Sequence, residues 1–215
     1  MKKILLPALF VAAMLASPAA FAQKAVSKKA AAATAAVASY KLQPQLSTLG
    51  WDGKAVTHGH NGTIQFSSGD LQVRNNMVVG GTAVVDMKTI KATDITDAEN
   101  HAKFVGHMSS GDFFDAPAFP TSTFKITSVT PIAGAAADAD NATITGDMTI
   151  KGVTQRVSFP AKVGVKNGVA AATGKVTIDR TKFGLKYGSK SFFDSIGDKA
   201  INDEFTLAFN VIAKQ

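Results

Sequence analysis

From Tyr40 onward apolar and polar residues alternate with a period of two, the spacing of half-buried strands and not of helices. In Ala142 to Ile150, one face takes Ile144, Gly146, Met148 and Ile150. Arg156 to Val165 repeats this with Val157, Phe159, Ala161, Val163 and Val165, and the next run with Ala170, Ala172, Gly174, Val176 and Ile178. Glu204 to Val211 places Phe205, Leu207, Phe209 and Val211 together. Each run keeps one polar face, as antiparallel sheets do. Further strands at 40–43, 46–53, 63–66, 71–74, 78–93 and 122–132 make eight or more, and a sheet that large with one apolar face closes most simply on itself. The segment from Val78 to Thr93 contains no proline, and at about 3.3 Å per residue it would rise ~50 Å, so the barrel should be elongated.

Turn chemistry at Ser68-Gly69-Asp70, Asn75-Asn76, Lys151-Gly152 and Asn167-Gly168 predicts hairpin connections. Two segments leave the period. Asp97 to Ser109 spaces Ala98, Ala102, Phe104, Val105 and Met108 as a short amphipathic helix, and Lys190 to Ile201 reads as a second short helix or a loop. The fold class is therefore all-β, an eight-stranded antiparallel barrel with one or two short helices. Inside it, a row of small residues (Gly146, Ala170, Ala172, Gly174) faces large ones (Phe66, Phe124, Phe159), which suits either a filled core or an open apolar bore.

The first 39 residues differ in kind. Lys2 and Lys3 precede an apolar run from Ile4 to Ala16, and Ala20-Phe21-Ala22 has the form of a cleavage site, so residues 1–22 read as an export signal cut after Ala22. The apolar run is shorter than the ~20 residues that span a bilayer, so no integral membrane segment is expected. Residues 23–39, mostly alanine with Lys24, Lys28 and Lys29, read as a flexible leader, which leaves 40–215 as the barrel domain. Location is expected to be periplasmic or secreted.

Composition narrows the chemistry. With no cysteine, thiolate metal sites, disulfides and cysteine nucleophiles are excluded. The formal charge of +7 suggests nucleic acid or an anionic surface, but five of the 23 basic residues precede Tyr40 and all 16 acidic residues follow it. The barrel is left near +2, and its lysines are interspersed with acids instead of exposed aromatics, so no nucleic-acid partner is expected. His58 and His60 could share a strand face, but their glycine-rich surroundings read as an exposed loop and no carboxylate lies at matching spacing, so no metal site is expected. His101 and His107 are six apart, which is not a one-face spacing on a helix. Asp112 and Asp115 read as turn residues, and no nucleophile elbow or other catalytic motif occurs.

Aromatic usage is skewed, with 14 phenylalanines against two tyrosines and one tryptophan, and phenylalanine adds apolar area without a hydrogen-bonding handle. Several lie in connecting segments, as plugs at the barrel ends or as the mouth of a pocket.

Four ordered motifs resemble the YceI-like family. Ser109 to Pro120, SSGDFFDAPAFP, followed by Thr123-Phe124-Lys125-Ile126, is similar to its most distinctive block. Ile144 to Val157 resembles its strand-turn motif, and Ile178 to Leu185 its "I-x-R-x-D-F-G" block, with Lys182 where an acid is common. Gly80 to Asp94 resembles the strand before the helix, whereas 49–54 and 58–62 depart from the family pattern as a subfamily variant. The resemblance implies a lipocalin-like barrel whose apolar channel holds a polyprenyl quinone, a polyprenyl phosphate or a similar amphiphilic lipid. Its walls would be Trp51, Phe66, Phe124, Ile144, Met148, Val157, Phe159, Phe205 and Phe209. Its end would be formed by Phe104, Phe113, Phe114 and Phe119, with Phe183, Phe192 and Phe193. No catalytic residue and no cofactor apart from the lipid is expected, and a homodimer stays open. The competing readings are an enzyme acting on an amphiphile in the same pocket, and a stress or interaction protein with a filled barrel.

Overall fold

The structure, a computed structural model, describes residues 35–215. The expected export signal, its cleavage point and most of the alanine-rich leader lie outside the described residues.

Nine strands form one antiparallel sheet. They are β1 (Ala38–Leu42), β2 (Thr48–Ala55), β3 (Gly59–Arg74), β4 (Met77–Ala92), β5 (Thr121–Pro131), β6 (Ala142–Ile150), β7 (Val153–Lys166), β8 (Val169–Asp179) and β9 (Ile201–Lys214). Among the described residues the single α-helix, α1 (Ala98–Ser109), connects β4 to β5. Strand β1 begins at Ala38, two residues before the expected start of the domain.

The barrel nevertheless has eight positions around its wall. β1 pairs with the end of β3 (Ala38 opposite Val73) and with the end of β9, while β2 pairs with the start of β3 (Leu49 opposite Ile64) and with the rest of β9. They are two halves of one wall strand, broken by the 3-10 turn Pro44–Leu46. Leu46 therefore belongs to this turn and not to a strand. Ser47 patches the gap, because its Oγ accepts the Ile212 N–H at 3.0 Å and donates to the Gln43 carbonyl at 2.8 Å.

Closure comes from β3 and β4, both 16 residues long, which pair from Gly62–Ala92 down to Val73–Val78. Ser68-Gly69-Asp70, expected as a hairpin, lies inside β3, where the register slips between Phe66 and Ser68. Ile64 and Phe66 point inward before the slip, and Leu71 and Val73 after it. A one-residue bulge of this kind bends a strand and changes which alternate residues face in. Two glycines allow the neighbouring backbones to approach: a Cβ on Gly69 would sit 2.4 Å from the Thr82 carbonyl oxygen, and one on Gly62 would sit 1.8 Å from that of Lys91.

The other expected turns are present. Asn75-Asn76, Lys151-Gly152 and Asn167-Gly168 each carry two consecutive positive φ angles, the geometry of the two-residue hairpin turn that matches sheet twist. Helix α1 starts at Asp97, whose carboxylate accepts the Asn100 N–H at 2.8 Å. Lys190 to Ile201 forms turns, with one 3-10 turn at Gly197–Lys199, before β9 begins.

Gly62→Ala should lower the stability to unfolding by about 1–3 kcal/mol, because the added carbon meets a main-chain oxygen that cannot withdraw. Gly164→Ala, with nothing within 4 Å of the new carbon, should stay within about 0.5 kcal/mol of the parent. Urea denaturation of both variants checks the contrast.

Candidate functional site

Because the backbone hydrogen bonds are satisfied around the wall, the interior need not be filled, and it is not. A cavity of about 570 Å³ runs within the barrel. Of the two interiors the alternation allowed, the open apolar bore is the one present, although large-small complementarity is also present. The Phe124 ring lies over Gly146 and the Phe209 ring over Gly174, so these phenylalanines fill the space the glycines leave and then continue as cavity wall. Phe159 sits between them, 5.5 Å from each ring, which makes a band of three aromatics across β5, β7 and β9.

The two ends of the cavity differ. At the end formed by the β3–β4 hairpin, Tyr40, Val73, Val78, Ala170 and Ala213 are buried against one another and close it. At the other end the lining includes the exposed residues Lys54, Thr57, His58 and Lys199, so the cavity opens there. Helix α1 and the segment after it cover part of this opening. Phe104 stacks on Trp51, with ring centres 6.1 Å apart, and Phe113 and Phe114 reach the cavity from a turn held by Phe113 N–H to Ser110 O and Phe114 N–H to Met108 O.

Of the residues expected to form the channel, Trp51, Phe66, Phe124, Ile144, Met148, Phe159, Phe205 and Phe209 line the wall. Phe104, Phe113 and Phe114 line its open end. Five others are placed elsewhere. Val157 keeps the inward face of β7 and packs against the core without reaching the cavity, Phe119 lies against the Lys151-Gly152 turn, and Phe183 is buried in the core beneath the opening. Phe192 and Phe193 are about half exposed and do not reach the cavity. Missed by the sequence reading were the aliphatic rows of β3 and β4, including Ile64, Ala83, Val85, Met87 and Ile90. Their alternation was legible, but the register slips hid which phase faced inward.

Also missed was the grouping of polar side chains at the open end. His60 is in β3 and not in an exposed loop: its Nδ1 lies 2.7 Å from Asp94 Oδ2, and its ring lies 4.5 Å from Phe104 and 5.3 Å from His58. Desolvation alone would raise the Asp94 carboxyl, but hydrogen bonds from His60 and from the Asn61 N–H outweigh it and hold Asp94 below the ordinary carboxylate range. His107 stands edge-on to Phe113 and Tyr187, with Asp112 3.3 Å from its Nε2. Among the described residues no cluster of three or more His, Asp or Glu is arranged to hold a metal ion.

Arg180, the arginine of the third motif, is the anchor of this end. It is 4% exposed and donates to four carbonyl oxygens, those of Leu185 and Tyr187 on one side and Ile201 and Asn202 on the other, at 2.7–2.9 Å. Burial lowers its guanidinium from the ordinary arginine value, opposed by the charges of Asp203 and Asp179. One planar fork thus ties the chain after β8 to the start of β9. Burial would raise the Asp203 carboxyl, yet Ser189, Ser191 and Arg180 together hold it low.

Comparison with known proteins gives a consistent picture. Residues 40–213 match the profile of a family described as the YceI-like domain. A UPF0312 protein of Pseudomonas paraeruginosa is 38% identical over 93 residues, covering 40% of this chain and 46% of that protein. Protein YceI of Escherichia coli O157:H7 is 39% identical over 75 residues, 35% of each chain. The chain thus spans less than half the length of the curated relatives it matches. The fold is shared with BcnA of Burkholderia cenocepacia (TM-score 0.62, 20% identity, 80% of this chain and 99% of that one). It is also shared with a structure described as a polyisoprenoid binding domain from Saccharophagus degradans (TM-score 0.55, 15% identity, 81% and 97%).

Arg180→Met should destabilise the protein by about 3 kcal/mol, because it leaves four carbonyl oxygens without their donor and the partly exposed Asp203 without its charge partner. Arg180→Lys should recover only part of this, since an ammonium cannot span both sides. Urea titrations of the three proteins provide the comparison.

Proposed function

Since the chain belongs to the YceI-like domain family, we propose that it binds and carries a long-chain isoprenoid, or a similar amphiphilic lipid, in the barrel cavity. The observation that carries this reading is the cavity's polarity along its length: apolar and closed at one end, bordered by lysine, histidine and carboxylate side chains at the other. Such a shape takes an apolar tail whole and leaves a polar head at the opening. A tail of methyl groups and double bonds offers its surroundings only apolar area, and phenylalanine, isoleucine, valine and methionine walls match that. The description of the Saccharophagus degradans domain as polyisoprenoid binding supports the isoprenoid class.

Binding without catalysis fits the same arrangement. The ionisable side chains that reach the cavity, among them His58, His60, His107, Lys54, Lys199, Asp198 and Glu204, gather at the opening, away from the depth where a tail would lie. The basic start, the apolar run and Ala20-Phe21-Ala22 support export, with the carrier working in the periplasm or outside the cell. No helix among the described residues is long and apolar enough to cross a membrane.

The protein has one tryptophan, Trp51, and it is in the cavity wall, so a polyprenyl quinone entering the bore should quench its fluorescence. Titration should saturate near one equivalent. Ala172→Phe, which projects a ring into the bore from β8, should weaken the quinone at least about tenfold while leaving the melting temperature unchanged or higher. Quenching that never saturates, or that is insensitive to Ala172→Phe, contradicts the reading.

A further inference from the structure

We propose that the open end of the barrel is a membrane-docking face, and that Phe192 and Phe193, with the lysines around them, seat it on an anionic lipid bilayer. Tyr187, Phe192 and Phe193, at 44%, 46% and 50% exposure, are the exposed aromatic side chains among the described residues, and all three are in the connection between β8 and β9. Val56, 49% exposed, stands beside this connection just after β2, where its N–H donates to the Ala200 carbonyl at 3.0 Å. Apolar side chains are thus presented to water at the end where the cavity opens.

This presentation is built. Ser189 is fully buried, and its carbonyl accepts the N–H groups of both Phe192 and Phe193, at 3.1 and 3.0 Å. Ser191 Oγ donates to Asp203 Oδ2 at 2.5 Å, and the Ile201 N–H donates to the Gly188 carbonyl at 2.8 Å. Arg180 holds Tyr187 from below. The two phenylalanines are therefore held outward at a fixed place beside the mouth, although a cavity suited to such rings lies nearby.

The charge around them selects the partner. Of the exposed lysines between residues 181 and 200, Lys182 is paired with Asp179 at 3.8 Å, which leaves Lys186, Lys190 and Lys199 against Asp194 and Asp198, and Lys54 adds a further ammonium from the neighbouring end of β2. Lys186 Nζ lies 4.6 Å above the Phe192 ring. Rings flanked by ammonium groups suit a bilayer surface, with the ring at the acyl boundary and the ammonium at anionic headgroups. A protein partner fits less well, because the centres of protein interfaces are depleted in lysine. The direction is also right for cargo. The far end of the barrel is closed by packed side chains, so a lipid tail enters or leaves past this loop, and docking would let it do so without crossing water.

The inference rests on the lipid-carrier reading for its purpose, but its test is separate. The full chain is floated with phosphatidylglycerol-rich vesicles and with pure phosphatidylcholine vesicles, in parallel with Phe192→Ser/Phe193→Ser. The N-terminal residues are common to both proteins, so the difference reads the loop. The parent should partition onto the anionic vesicles and lose this with added salt, and the double serine variant should partition at least about tenfold less. Lys186→Glu/Lys190→Glu should also weaken the anionic binding, and Phe192→Trp/Phe193→Trp should keep it. The double serine variant should retain saturable Trp51 quenching by a polyprenyl quinone delivered from detergent, which shows that its barrel is folded and its cavity intact. Equal partitioning of the parent and the double serine variant overturns the docking face, as does a parent that binds neither vesicle. Loss of quinone quenching in the parent would instead count against the cavity reading and leave the vesicle comparison to stand on its own.

Discussion

The structure depends on closure of the sheet between β3 and β4. An open sheet must cover its edges and pack its apolar face against something else, whereas a closed one satisfies its backbone donors and acceptors within the wall. Once the wall stands by hydrogen bonding, the interior can keep space in its middle, provided the ends are secured. Closure itself has a steric condition, met where Gly62 and Gly69 let two long, bulged strands approach to contact distance. Division of the eighth wall position into β1 and β2 is a second accommodation, with Ser47 replacing the interrupted ladder by a side-chain bridge.

Given a self-sufficient wall, the two ends take different tasks. At the β3–β4 hairpin end, Tyr40, Val73, Val78 and Ala213 pack as an ordinary core and make a floor. At the opposite end, stability comes from directed polar contacts: Asp97 caps α1, Asp94 holds His60, and Arg180 ties the β8–β9 connection together through four carbonyls. A core would block the opening, whereas hydrogen bonds at the margin hold it in shape while leaving it passable. The charge balance of the sequence acquires a location in the same way. The barrel is near neutral as a whole, yet the lysines at the lip are gathered beside its exposed aromatics.

Much of this was legible in the sequence. The alternation in β6 to β9 gave the correct strands and inward faces, the three Asn- or Lys-based turns fell where expected, and Asp97 marked the helix start. Sequence reading failed where geometry is non-local. The bulge in β3 shifts the inward phase from Ile64 and Phe66 to Leu71 and Val73, so a strict period of two sees two strands with a turn at Gly69; only pairing with β4 makes them one. His60 looked like a loop residue because its partner, Asp94, is 34 positions away. The phenylalanines of the β8–β9 connection could not be sorted from sequence either. Phe183 turns into the core under the left-handed Gly184, while Phe192 and Phe193 are held outward by contacts to Ser189 and Asp203.

A lipid tail held in the bore in the cell would stay with the protein through a gentle purification. Native mass spectrometry of the protein purified without detergent from its own host tests it most directly. The expected species is heavier than the bare chain by the mass of one lipid, which organic extraction releases as a long-chain isoprenoid or a related amphiphile. Recovery of the bare chain alone, together with failure to take up a polyprenyl quinone, would contradict it.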